Sequence, residues 1–231
     1  MPSQTESLPE QQEKAFTVVI DAGHQAKANL EPEPIGPGST QTKYKVAGGT
    51  TGATSGTPEY EVNLLLALLL ESELTERGYQ VVMTRTDNEV DISNAQRAEI
   101  ANQLDADAFL RIHCNGSTDP DAAGMMTLCQ TAENPFQAQQ YLRCRLLADC
   151  ILSGMMEQTG CTSGYVWETD TMAGLNWSSV PVTLLEVGYL TNPAEEALLL
   201  DRNYQKQLVG GIIAGLEEYQ RQTAEESFRK Q

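Results

Sequence analysis

Short apolar runs alternate with longer stretches of helical period along most of this chain. The first run, Phe16-Thr-Val-Val-Ile20, is rich in β-branched residues and ends at Asp21-Ala-Gly23, which predicts a strand closed by a turn. Similar runs at Gln80–Thr84, Ala108–Ile112, Gly124–Cys129 and Val182–Glu186 predict four more strands. Between them, a helix is predicted from Pro58 through the leucine-rich segment to Arg77. Pro58 suits a helix start, Glu59 and Glu61 suit its first turn, and Gly78 suits its end. Further helices are predicted over Ser93–Leu104, over Gln137–Gln158 with Leu142, Leu146, Leu147 and Ile151 at helical spacing, and over Pro193–Leu200 and Tyr204–Tyr219. Strands that alternate with helices imply an α/β fold: a single domain over residues 16–220 with a mostly parallel twisted sheet and helices on both faces.

Three stretches lack such a period. Residues 1–15 read as a disordered arm rich in Gln and Glu, and residues 221–231 as a frayed polar tail. Ten of the thirty residues from Asn29 to Pro58 are Gly or Pro, which predicts an irregular loop. Loops of that length inside a domain are usually functional, so this one is a candidate rim or lid.

Charge and composition narrow the function. Lys and Arg total 15 against 32 Asp and Glu, a net charge of −17, which argues against nucleic-acid or anionic-membrane binding through general electrostatics. The longest uncharged apolar run, Leu64 to Leu70, is far shorter than the roughly 20 residues a membrane span needs. The first fourteen residues lack the apolar core of a signal peptide, so either the protein starts in the cytoplasm or an export segment has been removed. Cys114, Cys129, Cys144, Cys150 and Cys161 form no CxxC pair and read as reduced, mostly buried thiols.

The chain has two histidines, and each follows a predicted strand: His24 after Asp21-Ala-Gly23, and His113 after Ile112. Ligands of open α/β sheets bind beyond the carboxyl ends of strands, so both imidazoles are candidates for one crevice. Gly23 would permit the turn that carries His24 over the strand end. Two neutral imidazoles suit zinc, with a carboxylate as the common third ligand. Glu59 or Glu61 could supply it, but not both, because residues two apart on a helix face different ways. Glu186 closes an apolar strand, where a lone carboxylate is costly unless paired or beside a metal, and it is the candidate general base.

At this point the residues resemble a known family, the zinc-dependent N-acetylmuramoyl-L-alanine amidases of the amidase_3 type. Val18-Val-Ile-Asp-Ala-Gly-His24 is similar to the family's first strand and first zinc histidine, and Pro58-Glu59-Tyr-Glu-Val-Asn-Leu64 to its ligand glutamate. Gly78–Arg85 and Gln96–Asn102 resemble its second strand and following helix. Ala106–Asn115 resembles its second zinc motif, and Val180–Asn192 the strand with its catalytic glutamate. The resemblance spans about Phe16 to Tyr219. It selects Glu59 over Glu61, since the family's ligand stands four residues before the Asn63 position. The chain departs from the family at Gln25, where Gly is frequent, and at Arg111-Ile-His113-Cys114, where Ser-Ile-His-Ala is frequent. Some members carry an inhibitory helical insertion, for which residues 115–124 leave little room, so an open site is implied.

The resemblance implies zinc held by His24, Glu59 and His113, with Glu186 as catalytic base, acting on peptidoglycan at the amide between the muramic lactyl group and L-alanine. Asp21 and Asn115 are candidate supporting groups, Asp21 as acceptor for the free ring N–H of His24. The expected place of action is the bacterial envelope or outside the cell, or the wall on lysis. The alternatives are a zinc peptidase cutting within the stem peptide and a wall-binding module with an inactive site.

Overall fold

The computed structural model describes residues 15–229. The expected arm over residues 1–15 therefore lies, apart from Ala15, outside the described residues. In chain order the elements are β1 (Thr17–Ala22), β2 (Asn29–Pro34), β3 (Thr42–Val46), α1 (Glu59–Glu76), β4 (Gln80–Met83), α2 (Asn94–Gln103), β5 (Ala108–Asn115), β6 (Met125–Cys129), α3 (Tyr141–Thr159), β7 (Gly164–Glu168), α4 (Ala173–Asn176), β8 (Val182–Tyr189), α5 (Pro193–Leu199) and α6 (Arg202–Arg229). Six strands form the main sheet in the order β4-β1-β5-β8-β6-β7. The β6–β8 pairing is antiparallel and the other pairings of this sheet are parallel.

Both faces of this sheet are buried, which is why its central strands read as continuous apolar runs. Alternate residues divide between the faces. Val18, Ile20, Leu110, Ile112 and Leu185 pack against Leu66 and Leu70 of α1, Leu147 and Ile151 of α3, and Ile212 and Leu216 of α6. Val19, Phe109, Val182, Leu184 and Leu128 pack on the opposite face against Ala98 and Ala101 of α2 and Leu175 of α4. Ser93 begins α2 with a reciprocal capping box to Gln96, the arrangement that stops the helix short of the β4 loop.

Several elements differ from the sequence expectation. Within the supposed irregular loop, β2 and β3 form an antiparallel pair. Most of β2 and β3 is exposed, so no apolar alternation marks them. The strand β7 lies at the sheet edge with Tyr165 and Trp167 exposed. The last helix does not fray at Arg221 but continues to Arg229, with Arg221 bridging Glu218 and Glu225 one turn to either side. All five cysteines are free, and all but Cys161 are buried. Among the described residues no helix is long and apolar enough to cross a membrane.

Candidate active site

Three adjacent parallel strands, β1, β5 and β8, deliver the candidate residues at their carboxyl ends. His24 follows β1 by two residues, while His113 and Glu186 stand opposite one another within β5 and β8. His113 thus lies inside its strand, not past it. Glu59 opens α1 and is buried.

The left-handed conformation near the first histidine falls on His24 itself, at φ 59°, and not on Gly23. Such a conformation costs on the order of 1–3 kcal/mol for a non-glycine residue. It is held in place from several sides. Arg97 donates to the His24 carbonyl, Gly23 N–H donates to the Ile112 carbonyl, and the His24 Nδ1–H donates to the Ala47 carbonyl at 2.8 Å. Gly23 is needed for a different reason: a Cβ there would overlap the His113 ring.

Ligand atoms of His24, Glu59 and His113 all lie within 4.8 Å of one another. Glu59 Oε1 is 3.3 Å from His24 Nε2 and 3.2 Å from His113 Nδ1, and it accepts from Asn63 Nδ2 and the Cys114 N–H. The Thr50 N–H donates to its other oxygen at 2.8 Å. Burial alone would raise the Glu59 pKa, but hydrogen bonds and charge from His113 and His24 outweigh it and hold the carboxyl well below its usual range. The imidazoles diverge. Burial pushes His113 down to about 4, whereas at His24 the opposing pull of Glu59 exceeds burial and raises the pKa. Glu61 is exposed at the helix surface, outside this group.

Three buried atoms here have no hydrogen-bond partner among the described residues: Asn63 Oδ1, beside Glu59, His113 Nε2 and Glu186 Oε2. Burial and the nearby Glu59 charge push Glu186 up to about 8. A buried, unsatisfied polar group costs about 1–3 kcal/mol, so those of His113 and Glu186, which line both cavities of the site, need a reason. A divalent cation supplies one. Two imidazoles and one carboxylate are a donor set of catalytic zinc sites, and the Ala47 carbonyl fixes the His24 tautomer so that Nε2 presents its lone pair. Such an ion would also draw Glu186 back towards its ionised form.

Asp21 does not support His24. Its carboxylate accepts from Arg97 Nη1 at 2.7 Å, Arg111 Nε at 2.9 Å and Thr84 Oγ1 at 2.6 Å, while a backbone carbonyl serves the imidazole. Strand pairing sets Asp21 opposite Arg111, and that partner claims it. Asn115 lines the site, but its oxygen accepts from the Gly116 N–H and its amide lies 3.8 Å from Met126 sulfur. Sequence patterns missed Arg85, Arg97 and Arg111, three guanidiniums buried under the site. The available signal was Arg111 itself, a charge within the apolar run Ala108–Ile112.

His24, His113 and Glu186 separate two cavities. One, of about 710 Å³, is bounded by Arg111, Gly174, Leu184 and the β2–β3 hairpin through Lys43 and Tyr44. The other, of about 450 Å³, is bounded by Glu59 and by the hydroxyl side chains of Thr50, Ser117, Thr118 and Thr191. Residues 116–124 hold bends and turns and no helix.

Known proteins share this arrangement of the chain. The family model described as N-acetylmuramoyl-L-alanine amidase matches residues 18–218. A relative from Staphylococcus aureus, called a probable cell wall amidase LytH, is 28% identical over 204 residues, which cover 88% of this chain and 58% of the relative. The chain thus spans little more than half of that curated relative. The catalytic domain of the amidase CwlV from Bacillus (Paenibacillus) polymyxa is 30% identical with a TM-score of 0.70, covering 88% of this chain and 97% of that one. The N-acetylmuramyl-L-alanine amidase Ami1 from Mycobacterium smegmatis is 25% identical with a TM-score of 0.80, covering 88% and 96%. The match of the family model over nearly all of the described fold carries the conclusion: this chain belongs to the N-acetylmuramoyl-L-alanine amidase family.

Proposed function

We propose that this protein is a zinc-dependent hydrolase of peptidoglycan that cuts the amide between the muramic lactyl carbonyl and L-alanine, acting at the bacterial cell envelope. One observation carries this: three ligand atoms converge within 4.8 Å beside a separate carboxylate, Glu186, whose inward oxygen has no partner. His24, Glu59 and His113 would hold the ion. When bound, zinc supplies Lewis acidity to the amide carbonyl and the attacking water.

The remaining work belongs to the chain. Glu186 lines both cavities and so faces a bond that crosses from one to the other. Its carboxylate takes the water proton during attack on the carbonyl carbon. The same carboxyl then delivers that proton to the amide nitrogen, which leaves as the amine of alanine. Glu186 starts and ends ionised, so the cycle balances. The buried Glu59, with five neighbours fixing its two oxygens, stays a ligand and takes no proton.

Digestion of purified peptidoglycan with mass analysis of the products tests this. Stem peptides with a free alanine amino terminus should appear, vanish with a chelator and return with zinc. Fragments cut inside the stem would show a peptidase, and unchanged wall would show a non-enzyme.

A further inference from the structure

The three buried arginines are unequally satisfied. Arg85 donates from every nitrogen, to the carbonyls of Ala22, Gly23, Tyr60 and Asp87 and to the Asn88 side chain. Arg97 also donates from every nitrogen, to Asp21, Gln25 and three backbone carbonyls. Arg111 differs. Its Nε donates to Asp21 and its Nη2 to Asn94 Oδ1 at 2.7 Å, but Nη1 has no hydrogen-bond acceptor among the described residues. The residue is 3% exposed, and it lines the larger cavity. Two of the three, Arg97 and Arg111, share one buried carboxylate, Asp21, in a chain whose net charge is −17. This cavity therefore carries a buried guanidinium in its lining, against the sign of the whole protein.

The position of Arg111 gives the surplus a direction. Arg111 and His113 are two residues apart on β5, so both point to one face, roughly 6.6 Å apart along the strand. In an extended peptide, the carbon of the scissile carbonyl and the Cα of the second residue beyond it are separated by a similar length, about 6 Å. The glycan side of the bond offers hydroxyls and an acetamido group, which match the hydroxyls of Thr50, Ser117 and Thr118 in the smaller cavity, whose acidic lining groups, Glu59 and Glu186, belong to the site itself. Only the peptide side carries carboxylates. Gly174 of α4 completes the seat: a Cβ there would overlap the Arg111 guanidinium, so glycine is what lets Nη1 lie where it does.

Resting on the amidase reading above, we infer that Arg111 is a specificity-determining residue, its Nη1 binding a carboxylate borne by the second stem residue, with the peptide in the Arg111 cavity and the glycan across the metal ligands. A charge-assisted hydrogen bond in a site shielded from water is worth about one to two orders of magnitude in affinity.

The test uses two muropeptides, each a disaccharide with a pentapeptide stem, that differ only in a carboxylate or a carboxamide at the second residue. The zinc-loaded protein should cleave the acid with a kcat/KM about tenfold or more above the amide. Arg111→Gln should bring that ratio close to one. Gly174→Ala, which displaces the guanidinium without removing its charge, should lower it too. Lys43→Gln, at the exposed wall of the same cavity, should keep the ratio. Equal cleavage of both substrates by the unaltered protein would overturn the inference and leave the amidase reading intact, as would a ratio that survives in Arg111→Gln. Should Arg111→Gln fail to fold by thermal melting, the unaltered protein, Gly174→Ala and Lys43→Gln decide, and loss of preference in Lys43→Gln alone would overturn the assignment. Cleavage of neither substrate would overturn the amidase reading, and this inference with it.

Discussion

Two buried charge clusters lie on the same sheet face, about one residue pair apart along the strands, and they are built in opposite ways. Around Asp21 every carboxylate oxygen has a short donor, and Arg97 and Arg111 neutralise it from two sides. Around His113 and Glu186, buried nitrogen and oxygen atoms are left without partners. The first cluster is complete within the protein. The second leaves polar atoms open among the described residues. A buried charge that is fully paired is a structural element, whereas one left open at the carboxyl ends of three parallel strands is a site. The pKa directions follow: the arginines and Thr84 overcome burial and hold Asp21 well below the carboxylate range, but burial wins at Glu186 and moves it up.

The contrast can be broken by removing a charge from either cluster. The largest effect is expected at the open one: Glu186→Gln should lower kcat by roughly 10²–10⁴ while keeping the fold, as measured on purified wall with circular dichroism as control. At the closed one, Asp21→Ala should leave two buried guanidiniums without their counter-charge and destabilise the fold by about 3–5 kcal/mol in urea unfolding. A destabilisation at Glu186→Gln comparable to that at Asp21→Ala would erase the distinction.

A smaller effect sharpens it through pH. In metal-free protein the Glu186 carboxyl is pushed up to about 8, against 4.5 as its ordinary value. Between these values the folded chain keeps a proton that the unfolded chain has lost, so this group makes stability fall as pH rises across that window. Metal-free Glu186→Gln should therefore be more stable than the parent at pH 8 by a few kcal/mol, and the gap should close by about pH 4.5. A gap independent of pH in denaturant unfolding would contradict the burial of an unpaired carboxyl. Smallest of all, Glu61→Ala at the exposed face of α1 should change neither stability nor activity measurably.

Much of this was legible along the chain. The apolar runs of β1, β5 and β8 mark buried parallel strands; His24 follows β1 as expected, whereas His113 and Glu186 lie inside strands that run on to Asn115 and Tyr189. The helix start at Pro58 placed Glu59 in a first turn, where the fold brings it between the imidazoles. What stayed hidden had no local signature. The β2–β3 hairpin carries Pro32 and Pro34 and buries little, so neither period nor composition announces it. Asp21 looked like a partner for His24 because it lies three residues away, yet Arg97, 76 residues along the chain, reaches it first. The extension of α6 to Arg229 rests on charged pairs at its surface, which an apolar period does not register.

Zinc content across one set of variants tests the central claim most directly. Metal analysis of the purified parent, Glu59→Ala, Glu61→Ala and Glu186→Gln should find one tightly held zinc in all but Glu59→Ala, and loss of hydrolysis in both Glu59→Ala and Glu186→Gln. Zinc retained in Glu59→Ala, or lost from Glu186→Gln, would contradict the division between three residues that hold the ion and one carboxylate that moves the proton.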